Sequence, residues 1–261
     1  MKTQNTPPSD LAVGLTHKTN NYGKIEILEY KNYNHIKVRF IATSYTRITN
    51  GGKIRAGVLK DLYHPNVCGV GFAGDGEYSK TKNNDAYCRW NSMLLRCYSS
   101  DAESENPTYA ECTVCEEWHN FQNFAKWYYN NHPKDGERYQ LDKDLTIIGN
   151  KIYSPLTCMF VSQSVNLFTV SRDNDRGSYM IGVSFDLERG KFKAQCNNPF
   201  TAKNEYIGRF PSEIEAHMAW RKRKSQHAYK LAIKQSNPKV RDALLRYKLA
   251  IDSNSIHMYQ L

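Results

Sequence analysis

The spacing of apolar residues predicts a strand-rich start, a helical middle and an end in which strands precede helices. Residues 24–40 alternate apolar and polar side chains around a turn at Lys31–Asn34, which is typical of a half-exposed β-hairpin. From Asp85 onward apolar residues recur at intervals of three and four, and a second such pattern covers Cys115–Asn130, which together indicate two amphipathic helices. Alternation returns in three short runs in the last third of the chain. This order predicts an α+β fold.

Composition and turn residues predict several small domains. The hydrophobic fraction of 40% and the mean hydropathy of -0.70 are low for one large core, so two or three small domains fit better. Few apolar residues accompany Pro7-Pro8 at the start, which indicates a flexible lead-in. The predicted parts are the lead-in at 1–20, a β-rich domain at 21–76, a central domain of helices and strands at 77–172, a linker at 173–178, and a three-stranded sheet with helices at 179–261.

Two helices are predicted to end the chain. Ser212 and Glu215 have the spacing of a capping box at the start of the first helix. Asn237 and Pro238 have the order of an N-cap and a first-turn proline at the start of the second. On the first helix, the residues expected to face the sheet are Ile214, Met218, Ser225, Tyr229 and Ile233.

The charge balance favours a polyanionic partner. Lys and Arg number 36 against 26 Asp and Glu, which gives a formal net charge of +10 and a pI near 9.1. Such a surface attracts nucleic acid, while a basic protein with no polyanionic partner is the alternative. The 18 tyrosines can stack on bases or fill small cores, and composition does not separate the two. Charge and tyrosines alone also admit an RNA-binding factor.

The cysteines indicate a reducing compartment. There are seven of them at irregular spacing, and the first residues carry no signal-peptide pattern, so we expect a cytoplasmic protein. No apolar run approaches the roughly 20 residues of a membrane span, so no membrane partner is expected. Cys112 and Cys115 form C-x-x-C with His119 four residues on, but the other cysteines do not form a second pair. We expect packed thiols rather than a structural Zn²⁺ site.

Oxygen-bearing side chains gather in the stretch Tyr139–Asn166. Asp142 and Asp144 leave a predicted strand, and Asn150 and Asn166 follow at distances that one hairpin and one helical turn could close. Converging oxygen ligands suit a hard divalent cation such as Mg²⁺, which can also share a phosphate. The stretch therefore predicts a divalent metal site formed by these four residues. Turn formation by Asp144 and Asn150, and helix capping by Asn166, are the alternatives.

The chain resembles phage-encoded HNH (His-Me finger) homing endonucleases over residues 87–168. The segments that carry the resemblance are YCRWNSMLLRCY, PTY, VCEEWHNFQNFAKW, LDKD, GNKIYSPLTC and FVSQSVN. The resemblance implies a ββα finger that hydrolyses DNA with a divalent metal, in which Asp142 serves as general base or metal ligand. It also implies that Lys143 or Lys151 stabilises the charge of the transition state.

One residue departs from this motif. Where the family places its general-base histidine the chain reads Leu141-Asp142, and no histidine lies between His132 and His217. A carboxylate with a pKa near 4 is a much weaker base than imidazole at neutral pH. A catalytically degenerate DNA-binding protein, acting as a regulator, an inhibitor or an adaptor, is therefore the alternative to an endonuclease.

The last third resembles the Apetala-type (ethylene-response-factor-like) DNA-binding domain. The segments GVSFD, KFKA, IGRF and SEIEAHMAW occur in that order. The resemblance implies a three-stranded sheet in the major groove of double-stranded DNA, with a helix packed behind it. The side chains that would reach DNA are Arg189, Lys191, Lys193, Gln195 and Arg209.

Together, these resemblances predict a DNA endonuclease of the phage homing type, located in the host cytoplasm. Double-stranded DNA is the expected partner, and a second copy of the chain or a host or phage protein is an open alternative for a further one.

Overall fold

The computed structural model describes residues 6–100, 109, 111–147, 149–170 and 178–253. Helices and strands are interspersed along the chain, which confirms the α+β class. Contacts divide the chain into two compact units, one of residues 1–110 and 114–126 and the other of residues 111–113 and 127–261. Within the described ranges no helix is both long and apolar enough to cross a membrane.

A four-stranded antiparallel sheet opens the first unit. Its strands are β1 (Thr16–Lys18), β2 (Lys24–Asn32), β3 (His35–Phe40) and β4 (Thr46–Thr49), which lie in sequence order. Asn32 pairs with His35 across the predicted turn, which confirms the hairpin. A short helix, α1 (Gly51–Arg55), follows the sheet. The core of this region is formed by Leu11, Ile25, Ile27, Ile36, Val38, Phe40, Ile54 and Leu59.

The prediction of a flexible lead-in at 1–20 is wrong for its described part. A 3-10 helix occupies Ser9–Leu11 and strand β1 follows it. Leu11 is fully buried in the core of the sheet, and His17 pairs with Ile25 across the β1–β2 ladder. One buried leucine and a strand pairing hold this segment, and neither shows as an apolar run in the sequence.

One helix and the first residues of another supply the aromatic core of the first unit. The helix α2 (Asn84–Tyr98) confirms the first helical prediction and buries Trp90. The second predicted helix is divided, because a 3-10 helix at Glu116–His119 ends before α3 (Phe121–Asn131) begins. Asn120 lies between these two helices and forms a parallel bridge with Phe72. This bridge holds Asn120 in an extended conformation.

The second unit includes the strand–loop–strand–helix order predicted for Tyr139–Asn166. Strand β6 (Tyr139–Asp142) pairs antiparallel with β8 (Met159–Ser162), and helix α4 (Gln163–Thr169) follows directly. Two short strands, β5 (Thr113–Val114) and β7 (Ile152–Tyr153), precede β6 and β8 along the chain.

A three-stranded antiparallel sheet and two long helices complete the second unit. The strands are β9 (Val183–Asp186), β10 (Lys191–Asn198) and β11 (Lys203–Phe210), with β10 in the middle. The helices are α5 (Glu213–Ile233) and α6 (Pro238–Asp252). Both predicted caps are confirmed, since Ser212 accepts from Glu215 N and Asn237 accepts from Lys239 N.

One core joins parts that the sequence assigned to different domains. It contains Leu145, Met159, Val161, Val165, Phe168, Ala228, Leu231, Ala232, Val240, Ala243, Leu244 and Ile251. The predicted central domain, 77–172, is thus shared between the two units. Residues 171–177 of the predicted linker region lie outside the described residues. Apolar faces of β8 and α4 are covered by α5 and α6, and this long-range pairing leaves no local signal.

The prediction of which side of α5 faces the sheet is wrong. Four of the five expected residues are exposed, and only Ser225 is buried. On the sheet side His217 lies against the carbonyl of Ile181, and Trp220 lies beside Gly182. A Cβ added to Gly182, whose φ is +78°, would come within 2.1 Å of Trp220 Cδ1, so glycine is required there.

Candidate functional site

The first candidate site is the loop that follows β6, of which residues 143–147 and 149–151 are described, here called the finger loop. Asp142, at the end of β6, starts it by accepting hydrogen bonds from Asp144 N at 3.0 Å and Leu145 N at 2.7 Å. Asp142 lies opposite Met159, whose side chain belongs to the core. Since side chains on one face of a paired strand share an environment, Asp142 lies on the core-facing side of the hairpin.

Burial changes the acidity of this carboxyl group. Desolvation raises the pKa of Asp142 above its ordinary value, while the hydrogen bond from Leu145 N lowers it and the neighbouring Asp144 raises it. The net direction is upward, toward the range in which a carboxylate is a better general base.

A lysine ammonium occupies the interior of the finger loop. The Lys143 side chain is only 7% exposed, and its Nζ lies 2.6 Å from Asp144 Oδ1. The same Nζ donates to the carbonyl oxygen of Asn150 at 2.8 Å. Asp144 and Asn150, which are two of the four predicted metal ligands, thus bind the Lys143 ammonium.

Asn150 uses its side chain to close the loop. Its Nδ2 donates to the carbonyls of Lys143, at 3.0 Å, and Ile152, at 2.7 Å. Its Oδ1 accepts from Ile152 N at 3.2 Å. The fourth predicted ligand, Asn166, lies on α4, where its backbone carbonyl accepts from Val170 N.

These contacts bear on whether a divalent cation fits. The predicted set was Asp142, Asp144, Asn150 and Asn166. Asn150 and one oxygen each of Asp142 and Asp144 are engaged in the loop's own hydrogen bonds, and the buried Lys143 ammonium adds a positive charge beside them. Placing a second cation there is opposed by Coulomb repulsion. In this arrangement the residues do not fit a bound Mg²⁺ ion.

His132 does not take the place of the missing histidine. Its ring lies 4.8 Å from the ring of Phe160 and 5.8 Å from that of Tyr139. Tyr139 and Phe160 lie on the face of the β6–β8 hairpin opposite to Asp142 and Met159. Its Nδ1 donates to the carbonyl of Pro133. The histidine nearest in sequence is therefore directed away from Asp142.

The second candidate site is the outer face of the β9–β11 sheet, here called the basic face. On β10, Lys191, Lys193 and Gln195 alternate with Phe192, Ala194 and Cys196. Ala194 and Cys196 are buried on the side of α5, so the first three side chains lie on the outer side. Across the ladders, Lys193 pairs with Arg209 and Gln195 with Tyr206. Arg189 lies in the exposed turn between β9 and β10.

A β-bulge decides which β11 residues share this face. The register shifts between Ala194 and Gln195, so that Tyr206 rather than Ile207 lies opposite Gln195. If side chains alternated regularly along β11 from Arg209, Ile207 and Glu205 would lie on the basic face. Tyr206 is instead 52% exposed there, and no pattern in the sequence indicates this residue, because the bulge depends on the pairing of two strands.

Arg209 has partners on the basic face. Its Nε lies 2.7 Å from Asp186 Oδ2, and its Nη1 donates to Tyr206 Oη at 3.0 Å. The hydrogen bond from Arg209 holds the pKa of Asp186 below its ordinary value. The guanidinium is thereby oriented, and its remaining N–H groups are the ones available to a ligand. In the described part of the chain neither Lys191 nor Lys193 forms an ion pair.

The densest basic run, Arg221–Lys224, serves the fold. Arg221 donates to the carbonyls of Ile251 and Asp252 at the end of α6. Arg223 pairs with Glu205, and Lys224 Nζ donates to the carbonyl of Phe168 near the end of α4. Three of these four cations thus bind inside the second unit, two of them at helix C-termini, where positive charge is favoured.

The cysteines form no disulfide. All seven lie in described residues, and none of them, Cys112 and Cys115 included, is disulfide-bonded. Among the described residues no group of three or more His, Cys, Asp or Glu side chains is arranged to hold a metal ion.

Comparison with known protein families, with curated proteins and with solved structures finds no match for this chain. The function of the finger loop and of the basic face has to follow from their own chemistry.

Proposed function

We propose that this protein binds double-stranded DNA through the basic face. The observation that supports this most is the register of the sheet, which puts Lys191, Lys193, Gln195 and Arg209 on one side. Helix α5 covers the other side of the same sheet. A sheet covered on one side and basic on the other can be laid against the major groove, which admits β-structure.

The residues of the basic face suit two kinds of contact. Lys191 and Lys193 carry charges without an ion-pair partner among the described residues, and they would neutralise phosphates. Gln195 can donate to and accept from adenine, and the oriented guanidinium of Arg209 can donate to guanine. The first kind would supply most of the affinity and the second the choice of sequence.

For the finger loop we propose a role that involves no cleavage. The Lys143 ammonium stands where the resemblance to HNH endonucleases implies a metal, and the base position carries Asp142. A loop that is held by its own internal hydrogen bonds can act as a rigid adaptor on DNA or toward another protein. This corresponds to the degenerate alternative, with the basic face as the part that binds DNA.

Metal-dependent endonuclease activity is the second candidate. One observation favours it, namely that burial raises the pKa of Asp142 at the strand end. Incubation of the protein with supercoiled plasmid and Mg²⁺ or Mn²⁺ distinguishes the endonuclease from the non-cleaving DNA-binding protein. Nicking or linearisation by the wild type that is lost in Asp142→Asn would establish the second candidate, and intact plasmid together with DNA binding supports the first.

Binding is tested by fluorescence anisotropy with labelled duplexes at low salt. We expect Lys191→Ala/Lys193→Ala to weaken binding by about tenfold or more, because two phosphate contacts are lost. The matched control is Lys203→Ala/Lys239→Ala, which removes two exposed lysines from elsewhere on the second unit. Equal affinity of both double variants would place the binding surface elsewhere.

A further inference from the structure

Helix α5 leaves a row of apolar side chains exposed. Ile214, Met218, Tyr229 and Ile233 are 65%, 60%, 49% and 60% exposed. Their separations of 4, 11 and 4 residues are close to whole numbers of helical turns, so the four lie on one side of the helix. With a rise of 1.5 Å per residue the row is about 28 Å long. We call this row the α5 stripe.

The stripe is turned away from the sheet and borders the side of α5 that packs in the core, since Ser225, which lies between Met218 and Tyr229 on the same side of the helix, is buried. Toward the sheet, α5 directs Trp220 and His227, and His227 Nε2 lies 3.0 Å from Glu205 Oε2 on β11. Toward the core it directs Ala228 and Leu231. The four side chains of the stripe lie outside these two sets of contacts and are exposed in the described part of the chain. Exposed apolar side chains grouped in this way are typical of an interaction surface.

The spacing of the stripe is the same in both directions along the helix. Ile214 and Ile233 are equally far from the helix midpoint, as are Met218 and Tyr229. If a second α5 is laid against the first in the antiparallel sense, Ile214 meets Ile233 of the other copy. In the same arrangement Met218 meets Tyr229. Such self-complementarity is what a twofold interface requires.

The charges beside the stripe favour the same arrangement. The first half of α5 carries the exposed Glu215 and the second half the exposed Lys230. Antiparallel helices bring these opposite charges together, whereas parallel helices would bring like charges together. Lys222, which is exposed and lies near the middle, opposes the arrangement, because it approaches its own copy across the twofold axis.

We propose that a second copy of this chain packs antiparallel on the α5 stripe and forms a homodimer. Four side chains are a small patch beside the ~800 Å² per partner of a standard interface, so the dimer is weak, with a dissociation constant on the order of micromolar. The proposal goes beyond DNA binding and does not depend on it, since the stripe and the basic face are on different sides of the sheet–helix layer.

Sedimentation velocity without DNA, over a concentration series, tests the dimer. We expect the wild type to shift from monomer to dimer as its concentration rises, and Met218→Glu/Tyr229→Glu to remain monomeric. The matched control is Leu249→Glu, which alters a leucine 62% exposed on α6 and should dimerise as the wild type does. Lys222→Leu should lower the dissociation constant about tenfold, because it removes the central repulsion. A monomer at every concentration in both the wild type and Lys222→Leu would overturn the proposal.

A charge exchange tests the antiparallel arrangement. Glu215→Lys and Lys230→Glu should each weaken the dimer, and the double variant should restore it, since it re-forms both opposite-charge pairs. Dimerisation of the single variants that equals the wild type would contradict the arrangement. Circular dichroism of every variant confirms that the helices are retained, so that a loss of dimer is separated from a loss of folding.

Discussion

At Asp142 a single carboxyl group is subject to opposing influences. Burial on the core-facing side of the hairpin raises its pKa, whereas backbone N–H groups that donate to it favour the ionised form. The sequence shows only that a carboxylate stands where the resemblance to HNH endonucleases places a histidine. The two backbone hydrogen bonds show that the residue also caps a turn.

The first prediction separates these two roles of Asp142. Asparagine keeps an oxygen acceptor for Asp144 N and Leu145 N, whereas alanine does not. We expect Asp142→Ala to lower the free energy of unfolding by about 1 kcal/mol. Asp142→Asn should be at least as stable as the wild type at neutral pH. Urea titrations measure both changes.

The pH dependence has a definite sign. Because the pKa of Asp142 is raised in the folded protein, the folded state binds more protons than the unfolded state just above the ordinary pKa of 3.8. Stability therefore falls as the pH rises through the raised pKa, and the wild type should lose stability relative to Asp142→Asn over that window. An equal pH dependence of the two proteins from pH 3 to 7 would contradict the burial of a charged group.

Lys224 gives the second residue-scale prediction. Its Nζ lies 3.7 Å from the centre of the Phe168 ring, and burial lowers its pKa to about 8 from 10.5. Between these values the unfolded state binds more protons, so the stability contributed by this group rises with pH. Relative to Lys224→Met, the wild type should gain on the order of 2 kcal/mol from pH 8 to 10.5. A constant difference over that range would show that the ammonium is solvated.

At the scale of elements, the finger loop is held by a cation of its own. Lys143 is bound to Asp144 and to the Asn150 carbonyl, and Asn150 closes the loop. Of the four predicted ligands, Asp144 and Asn150 meet at this ammonium, and Asn150 does so through its backbone carbonyl. What the spacing does not show is that the neighbouring lysine turns inward to meet them.

Removal of that lysine should convert the loop into a weak cation site. We expect Lys143→Ala to lose about 1–2 kcal/mol of stability, because Asp144 and the Asn150 carbonyl lose their partner. The variant should then be stabilised by millimolar Mg²⁺ or Mn²⁺ at constant ionic strength, while the wild type should not. Lys151→Ala, which removes an exposed neighbouring lysine, is the matched control. Equal responses of the wild type and Lys143→Ala would refute the replacement of a metal by lysine.

Patterns within a single segment predict most of the helices and strands. They fail where contacts between distant segments determine which side chains are buried or paired. The β2–β3 hairpin, the three strands of the last sheet and the caps at Ser212 and Asn237 all follow from alternation or capping chemistry. The buried side of α5 does not, because its outer stripe is as apolar as a core face. The bulge that brings Tyr206 onto the basic face depends on register, which the sequence of one strand does not contain.

At the scale of the whole molecule, the net charge does not by itself locate a binding surface. The chain has a net charge of +10, and its densest basic run is largely consumed inside the second unit. The cations of the β9–β11 sheet are fewer but lie together on one outer face. Their arrangement, rather than the net charge, carries the proposal of a DNA-binding surface.

The salt dependence of DNA binding tests this central claim most directly. Each phosphate contact contributes about 0.9 to the slope of log affinity against log salt concentration. Lys191→Ala/Lys193→Ala should therefore reduce the slope by about 2 relative to the wild type, while Lys203→Ala/Lys239→Ala leaves it unchanged. A slope that stays the same in the first variant, or falls equally in both, would contradict binding through the basic face.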